Sequence, residues 1–327
     1  MAEKDNIIWG IIGCGDVAEV KSGPAFQKCN NSQLLAVMRR NSAKAKDFAQ
    51  RHKVPLWYDN ADELLKNEDI NAVYIATPPS SHLEYTIKSI EAGKDIYLEK
   101  PMTRTANEAN QILEALKDSS SKLVVAHYRR KLPAFLKIKE LLNQKAIGEI
   151  RFAKIEILQP LKSDLIAETD DNWRVEPEVS GGGYFYDIAP HQLDLMCDFF
   201  GEFDQFAGFS KNQAADYKAA DVVHGSISFK NGVQFQGLWC FNVAENDKKD
   251  QCIIYGSEGK ITFSFYGGQV FLESNDRNET FHFDQIAHVQ QPLIQATVDY
   301  FMGKAKNPCP VQAGLNVMKL LEGFSQF

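Results

Sequence analysis

Among the many side chains of this 327-residue chain that can move protons or hold developing charge, three stand in patterned stretches: Lys100, Asp187 and His191. Lys100 stands in Asp95-Ile96-Tyr97-Leu98-Glu99-Lys100-Pro101, an apolar run stopped by an acid, a base and a proline. Proline cannot donate a ladder hydrogen bond and pushes the residue before it toward extended geometry, so the lysine falls where a strand ends. Ligands of open α/β sheets bind at such ends; the competing reading is a solvated lysine ahead of a turn. Asp187 and His191 lie four apart in Gly181-Gly182-Gly183-Tyr184-Phe185-Tyr186-Asp187-Ile188-Ala189-Pro190-His191. On a helix they share one side, which suits an exposed ion pair or an acid–base couple built on an imidazole that titrates near neutrality. The glycines ahead of them are read as admitting a ligand close to the backbone. Pro190 lacks the N–H that would bond Tyr186, so it kinks the helix or delays its start.

A fourth pattern would supply such groups with a cofactor. The apolar run 7–12 leads into Gly13-Cys14-Gly15-Asp16-Val17-Ala18, a GxGxxA turn between a strand and a helix. Gly13 permits the tight turn, Gly15 lets a pyrophosphate reach the backbone, Ala18 allows close helix packing, and the helix N-terminus faces the phosphates. After the next strand, 34–38, an NAD site carries an acid for the ribose hydroxyls; here stand Arg39 and Arg40. Guanidinium groups hold a 2′-phosphate, so NADP(H) is favoured over NAD(H), unless the two arginines are solvated residues before a helix capped by Asn41 or Ser42.

The elements that must position these groups alternate strand and helix through the first half. Strands are expected at 72–76, 95–98 and 122–126, and helices at 61–67, 81–92 and 107–117. Thr77-Pro78-Pro79-Ser80-Ser81-His82 forms a rigid loop at one strand end, with Thr77 and Pro78 lining the cofactor crevice and a serine capping the next helix; His82 is either a first-turn residue or a nicotinamide neighbour. His127-Tyr128-Arg129-Arg130 puts polar groups at another strand end. Near residue 126 the pattern changes: a helix over 133–143, then an alternating strand over 150–158 and further strands at 221–229, 233–240, 251–255 and 260–265, with Lys230-Asn231-Gly232 as a hairpin turn. The expected fold is α/β: a doubly wound parallel-sheet (Rossmann) domain, 1–126, and an α+β domain with a large, mainly antiparallel open sheet, 127–327. C-terminal helices at 292–302 and 314–327 can pack back on the first domain. The long polar loop 161–178 holds Trp173-Arg174, and 212–221 reads as a surface loop.

Composition narrows the function. A net charge of −7 leaves no global basic field for nucleic acid. The six cysteines include no CxxC pair and no zinc-spaced histidines, so they read as buried thiols in a reducing compartment and no metal site is expected. The N-terminal apolar run is too short for a signal or a membrane span, and the expected location is the cytoplasm.

The ordered set, strand-GxGxxA, Ala76-Thr77-Pro78-Pro79-Ser80-Ser81-His82, Glu99-Lys100-Pro101 and Gly-Gly-Gly-x-x-x-Asp187-x-x-x-His191, resembles the Gfo/Idh/MocA family, named for glucose-fructose oxidoreductase and inositol 2-dehydrogenase, over almost the whole chain. The resemblance implies that Lys100, Asp187 and His191 form the catalytic group. It implies that Trp173 and Arg174 lie near cofactor and substrate, and that the open sheet joins copies into a homodimer or homotetramer. Cofactor contacts are then expected from Gly13, Cys14, Gly15, Asp16, Val17, Ala18, Arg39, Arg40, Thr77, Pro78, His82, Glu99, Lys100, Trp173 and Arg174. Substrate contacts are expected from Lys100, Tyr128, Arg129, Asp187 and His191. The implied reaction passes a hydride between nicotinamide and a carbinol or carbonyl carbon of a sugar or polyol, with His191 moving the proton and Lys100 holding the oxygen. Two rivals share the fold: a lyase-like or glycosidase-like enzyme that retains its cofactor, and a non-catalytic cofactor-binding sensor.

Overall fold

Apolar runs with no polar face are suited to strands covered on both sides, and in the first half they build such a sheet. In the computed structural model, which describes residues 5–15, 18–163, 165 and 172–325, it comprises β1 (Ile7–Ile12), β2 (Ser32–Met38), β3 (Leu56–Tyr58), β4 (Ala72–Ile75), β5 (Asp95–Leu98) and β6 (Leu123–Val125). The order is β3-β2-β1-β4-β5-β6 and every pair is parallel. That is the doubly wound order, in which the direction of winding reverses between β1 and β4. β5 is buried at all four positions.

The crossovers are α1 (Gly23–Phe26), α2 (Ser42–Arg51), α3 (Ala61–Lys66), α4 (His82–Glu91) and α5 (Ala106–Lys117). Their starts follow from side-chain caps: Asn41 accepts the Lys44 N–H at 3.0 Å, Asn60 that of Asp62 at 2.7 Å and Thr105 that of Glu108 at 3.1 Å. Ser81 precedes α4 but spends its hydroxyl on Thr77 Oγ1, 2.9 Å away, so the expected serine cap is not made. Under the sheet the rings of Trp9, Phe26, Tyr74 and Tyr97 follow one another at 4.8–5.3 Å. All four are fully buried, so large rigid rings fill the space that short strands leave.

The chain divides into two compact units: Met1–Tyr128 with Ile286–Met318, and Arg129–Gln285 with Lys319–Phe327. α9 (Gln291–Phe301) thus belongs with the parallel sheet, where Phe301 packs 5.7 Å from Trp9; α10 (Val311–Phe324) is shared between the units. The segment before α10 covers the edge of the parallel sheet: Cys309 O accepts the Val125 N–H at 3.0 Å, and Asn307 Nδ2 donates to Leu123 O at 2.8 Å.

The second unit holds an eight-stranded sheet in the order β14-β13-β12-β11-β7-β10-β9-β8. Its strands are β7 (Ile150–Leu158), β8 (Phe203–Lys211), β9 (Val222–Phe229), β10 (Gln234–Cys240), β11 (Lys249–Gly256), β12 (Gly259–Phe263), β13 (Gln269–Ser274) and β14 (Asn278–His282). All pairs are antiparallel except β7 with β10. Alternation buries Ala153, Ile155 and Ile157 on one face; the helices of this unit are α6 (Pro133–Asn143), α7 (Pro177–Ser180) and α8 (Gly183–Phe200), and Phe185 of α8 packs 5.1 Å from Trp239 of β10. The sequence reading omitted β3, β8, β13 and β14. β8, β13 and β14 carry polar residues on one face and sit at or next to the sheet's ends, where apolar alternation is weakest.

Candidate active site

The turn after β1 lies where the winding reverses. Gly13 has φ +97°, a left-handed conformation, and a Cβ there would meet Thr77 Cγ2 at 2.7 Å and Thr77 N at 2.8 Å. The Gly13 and Cys14 N–H groups donate to Met38 O at 2.9 and 3.1 Å, which fixes the turn to the end of β2. Gly15 differs: a Cβ there would project into open space. Ala18 is fully buried against the start of the first helix, while Asp16 and Val17 lie outside the described residues. Arg39 leans over the turn, its Nη1 3.4 Å from Cys14 O, and Arg40 is exposed beside it. The Cys14 side chain is packed inside, and burial pushes its thiol up to about 11. The turn thus leaves free backbone space at Gly15 with a guanidinium at its side, and these residues fit the phosphates of a dinucleotide.

The next two strand ends are tied to each other. His82, completely buried at the start of α4, points Nε2 at Thr77 O (2.7 Å) and Nδ1 at Pro101 O (3.0 Å) and Met102 O (3.3 Å). Burial lowers its pKa, offset in part by the carbonyl of Thr77, the charge of Glu99 and the carbonyls of Pro101 and Met102. His82 is the first residue of α4 and clasps together the loops after β4 and β5. Thr77 and Pro78 are half-buried in the first of these loops. Glu99 is buried beneath the second, and Lys100, half-buried, follows it; the Lys100–Pro101 peptide is cis. Tyr128, just beyond β6, is 7% exposed.

In the second unit α8 runs unbroken through Pro190, so the helix begins well before the proline rather than after it, and Asp187 and His191 share one side. His191 is 4% exposed and Asp187 is more open, its side chain 22% exposed. Nearly every residue from Gly183 to Met196 is buried; Ile188 and Leu195 are core, whereas Phe199 is half-buried. At two of the glycines that lead into α8, the space a side chain would take is filled by the protein itself. A Cβ on Gly182 would overlap the Tyr186 ring, and one on Gly183, at φ +72°, would overlap Ala219. Ala219 comes from the segment read as a surface loop, yet Ala219, Ala220 and Asp221 are all buried. The Asp221 carboxylate accepts the Gln213 and Ala214 N–H groups at 2.8 and 2.7 Å and folds that loop inward.

Arg174 is buried, 3.4 Å from Asp187 Oδ2 through Nε, and its guanidinium lies 4.7 Å over the half-buried Trp173 ring. Its charge therefore serves the carboxylate of α8. Arg129 is likewise committed within its own unit: Nη1 donates to Phe265 O, and the guanidinium stacks 4.3 Å over Tyr266. Sequence reasoning missed what holds α8. Arg130 forms a two-pronged bond to Asp194, 2.7 Å on each arm, Lys139 donates to Asp198 at 2.8 Å, and Trp239 Nε1 donates to Gln192 Oε1 at 2.6 Å. Acids at 187, 194 and 198 inside an otherwise apolar helix were the available signal, because such groups need partners.

Among the described residues no group of three His, Cys, Asp or Glu gathers to hold a metal, and no helix is long and apolar enough to cross a membrane. A cavity of about 460 Å³ opens on the eight-stranded sheet, lined by Gln251, Ile253, Lys260, Thr262, Phe271 and Glu273 among others; none of its lining residues is among those that carry the expected chemistry.

Residues 7–127 match the model of an oxidoreductase family with an NAD-binding Rossmann fold, and residues 135–262 match the GFO/IDH/MocA C-terminal domain. An oxidoreductase of Formosa agariphila is 52% identical over 98% of this chain and 99% of its own length. The NADP⁺-dependent scyllo-inositol 2-dehydrogenase of Bacillus subtilis is 30% identical over 97% of this chain and 92% of its own. In fold, a levoglucosan dehydrogenase solved with NADH and levoglucosan superposes with a TM-score of 0.88 at 22% identity, covering 98% of this chain and 96% of that one. With both of its family models matched in order, and the parallel sheet and open sheet that go with them, the chain belongs to the Gfo/Idh/MocA family of NAD(P)-dependent oxidoreductases.

Proposed function

We propose that this enzyme oxidises a carbinol carbon of a sugar or polyol, or reduces the corresponding carbonyl, with NADP(H) favoured over NAD(H). The observation that carries the proposal is the shared carboxyl end of one parallel sheet: after β1 the space where a Gly15 side chain would stand is open, and Glu99-Lys100 follows β5. The dinucleotide would be held by Gly13, Cys14 and Gly15, with Arg39 on the 2′-phosphate; when bound, it supplies the site that accepts or gives the hydride. The relatives named for inositol and levoglucosan dehydrogenation support a polyhydroxylated substrate.

Each protein group has a role that its surroundings favour. Lys100 donates to the substrate oxygen and stabilises negative charge as it develops there. His191 takes the hydroxyl proton in oxidation and returns it in reduction, because imidazole has usable populations of both forms near neutrality. Asp187 orients substrate or His191, and the Arg174 pair keeps its carboxylate in place. Trp173 and Tyr128 complete the proposed contacts.

Copies are proposed to join as homodimers or homotetramers through the eight-stranded sheet. Phe152 and Phe271 remain 43% and 38% exposed there, and Phe152 stacks on Tyr255 at 4.5 Å to extend an apolar surface. Six free cysteines favour a reducing compartment such as the cytoplasm. The test is fluorescence titration with NADPH and NADH, followed by a screen of polyols, aldoses and keto-sugars for a change in reduced-nicotinamide absorbance. Tighter NADPH binding and turnover of at least one polyol or aldose are expected. Saturable binding without turnover of any class would reject the reading in favour of a sensor.

A further inference from the structure

Glu99 is the acid of the Glu-Lys-Pro run, and its carboxylate is buried at 5% exposure. It accepts three hydrogen bonds, all from neutral donors of its own unit: Tyr74 Oη at 2.6 Å and Gln290 Nε2 at 2.6 Å on Oε1, and the backbone N–H of Lys100 at 3.0 Å on Oε2. The network continues outward. Ser22 Oγ donates to Tyr74 Oη at 3.1 Å, and Tyr97 Oη donates to Gln290 Oε1 at 3.0 Å. Ser22 closes the first helical turn after Gly15, Tyr74 and Tyr97 belong to β4 and β5, and Gln290 immediately precedes α9.

An ionised carboxylate can only accept. It therefore sets the direction of every bond around it: Tyr74 must donate inward and so accepts from Ser22, and Gln290 must turn its amide nitrogen to Glu99 and its oxygen to Tyr97. Burying a charge is costly unless it is well satisfied, and a satisfied polar network in a low-dielectric interior is stiff. We infer that Glu99 is a positioning residue that fixes the backbone of Lys100 and couples it to the helix following the glycine turn. The inference rests on the role proposed for Lys100. It moves Glu99 from the expected list of cofactor contacts to a place beneath the lysine, where it acts on the reaction through another residue.

The test is a double-mutant cycle with a second readout that needs no substrate. Glutamine keeps the shape of glutamate, but its –NH₂ must face at least one donor of this network. Glu99→Gln is expected to lower kcat about tenfold, the loss typical of a broken buried hydrogen bond to a charged group, with NADPH affinity and substrate KM within about twofold. Tyr74→Phe, which removes one donor and keeps the ring, should do the same more weakly and serves if Glu99→Gln does not fold. Hydrogen exchange at the Lys100 amide should quicken about tenfold or more in Glu99→Gln while the amides of β1 keep their protection. In a Lys100→Ala background, Glu99→Gln should cause no further loss of kcat, measured with NADP⁺ and the polyol or aldose that turns over fastest in the screen above. A further loss of the same size in that background, or an unchanged Lys100 exchange rate, would overturn the inference. Full activity of Lys100→Ala alone would instead overturn the role of Lys100 on which it rests.

Discussion

Two glycine-led segments of this chain look alike on paper and differ in what fills the missing side chain. After β1, Gly15 faces open space, and Gly13 is glycine because Thr77 and a left-handed backbone leave no alternative. Before α8, the space beside Gly182 and Gly183 is already taken, by the Tyr186 ring and by Ala219. The first segment keeps open space at Gly15, and the second fills the space at Gly182 and Gly183 with its own side chains. Glycine in a motif therefore reports close approach of something, and the neighbouring atoms decide whether that something is a cofactor or the protein's own core.

Substitutions can break this contrast from either side. Gly183→Ala carries the largest expected effect: a left-handed φ and an overlap with Ala219 together should destabilise the fold by about 2–4 kcal/mol, read by urea unfolding. NADPH affinity of the protein that remains folded should stay within about twofold. Gly15→Ala should do the reverse, leaving the unfolding midpoint almost unchanged while weakening NADPH about tenfold, or about 1.4 kcal/mol. If Gly15→Ala unfolds the protein or Gly183→Ala weakens cofactor binding selectively, the contrast fails. Arg39→Ala sharpens the first half of it: NADPH affinity should fall several-fold and NADH affinity much less, because the guanidinium beside Cys14 O would meet only the 2′-phosphate.

The smallest effect is expected from acid. His82 has its pKa lowered by burial from the ordinary 6.5, so it is neutral in the fold and protonates more readily when unfolded. The stability it supports is complete above that value and is lost as the pH falls through it toward the lower folded pKa. The thermal midpoint should drop by a few degrees between pH 7.5 and 5.5 and less in His82→Gln; an equal drop in both proteins would remove His82 from the explanation.

Much of the first unit was legible because local signals agree with the global fold there. Continuous apolar runs, Asn and Thr caps and a proline after Lys100 each reflect one dominant force, and β1, β2, β4, β5 and β6 appear where those forces require them. The second unit was harder to read. β8 and β13 expose every second residue or more, so their pattern is diluted, and the 212–221 segment looks polar although Asp221 satisfies its own backbone and lets Ala219 and Ala220 go inside. The partners of buried groups were the least legible of all. Nothing in the spacing of Glu99 to Gln290, or of Arg174 to Asp187, announces that they meet, since side-chain pairing across such separations is decided by the fold.

The central claim is that the strand end at Lys100 holds the substrate oxygen beside a nucleotide bound at Gly15. Its most direct test is single-turnover absorbance of Lys100→Ala and of the unaltered enzyme, each preloaded with NADPH and mixed with the best carbonyl substrate. The account predicts NADPH binding within about twofold and a rate of the absorbance change lower by about a hundredfold or more, as removal of one preorganised donor usually costs. An undiminished rate with intact nucleotide binding would contradict it.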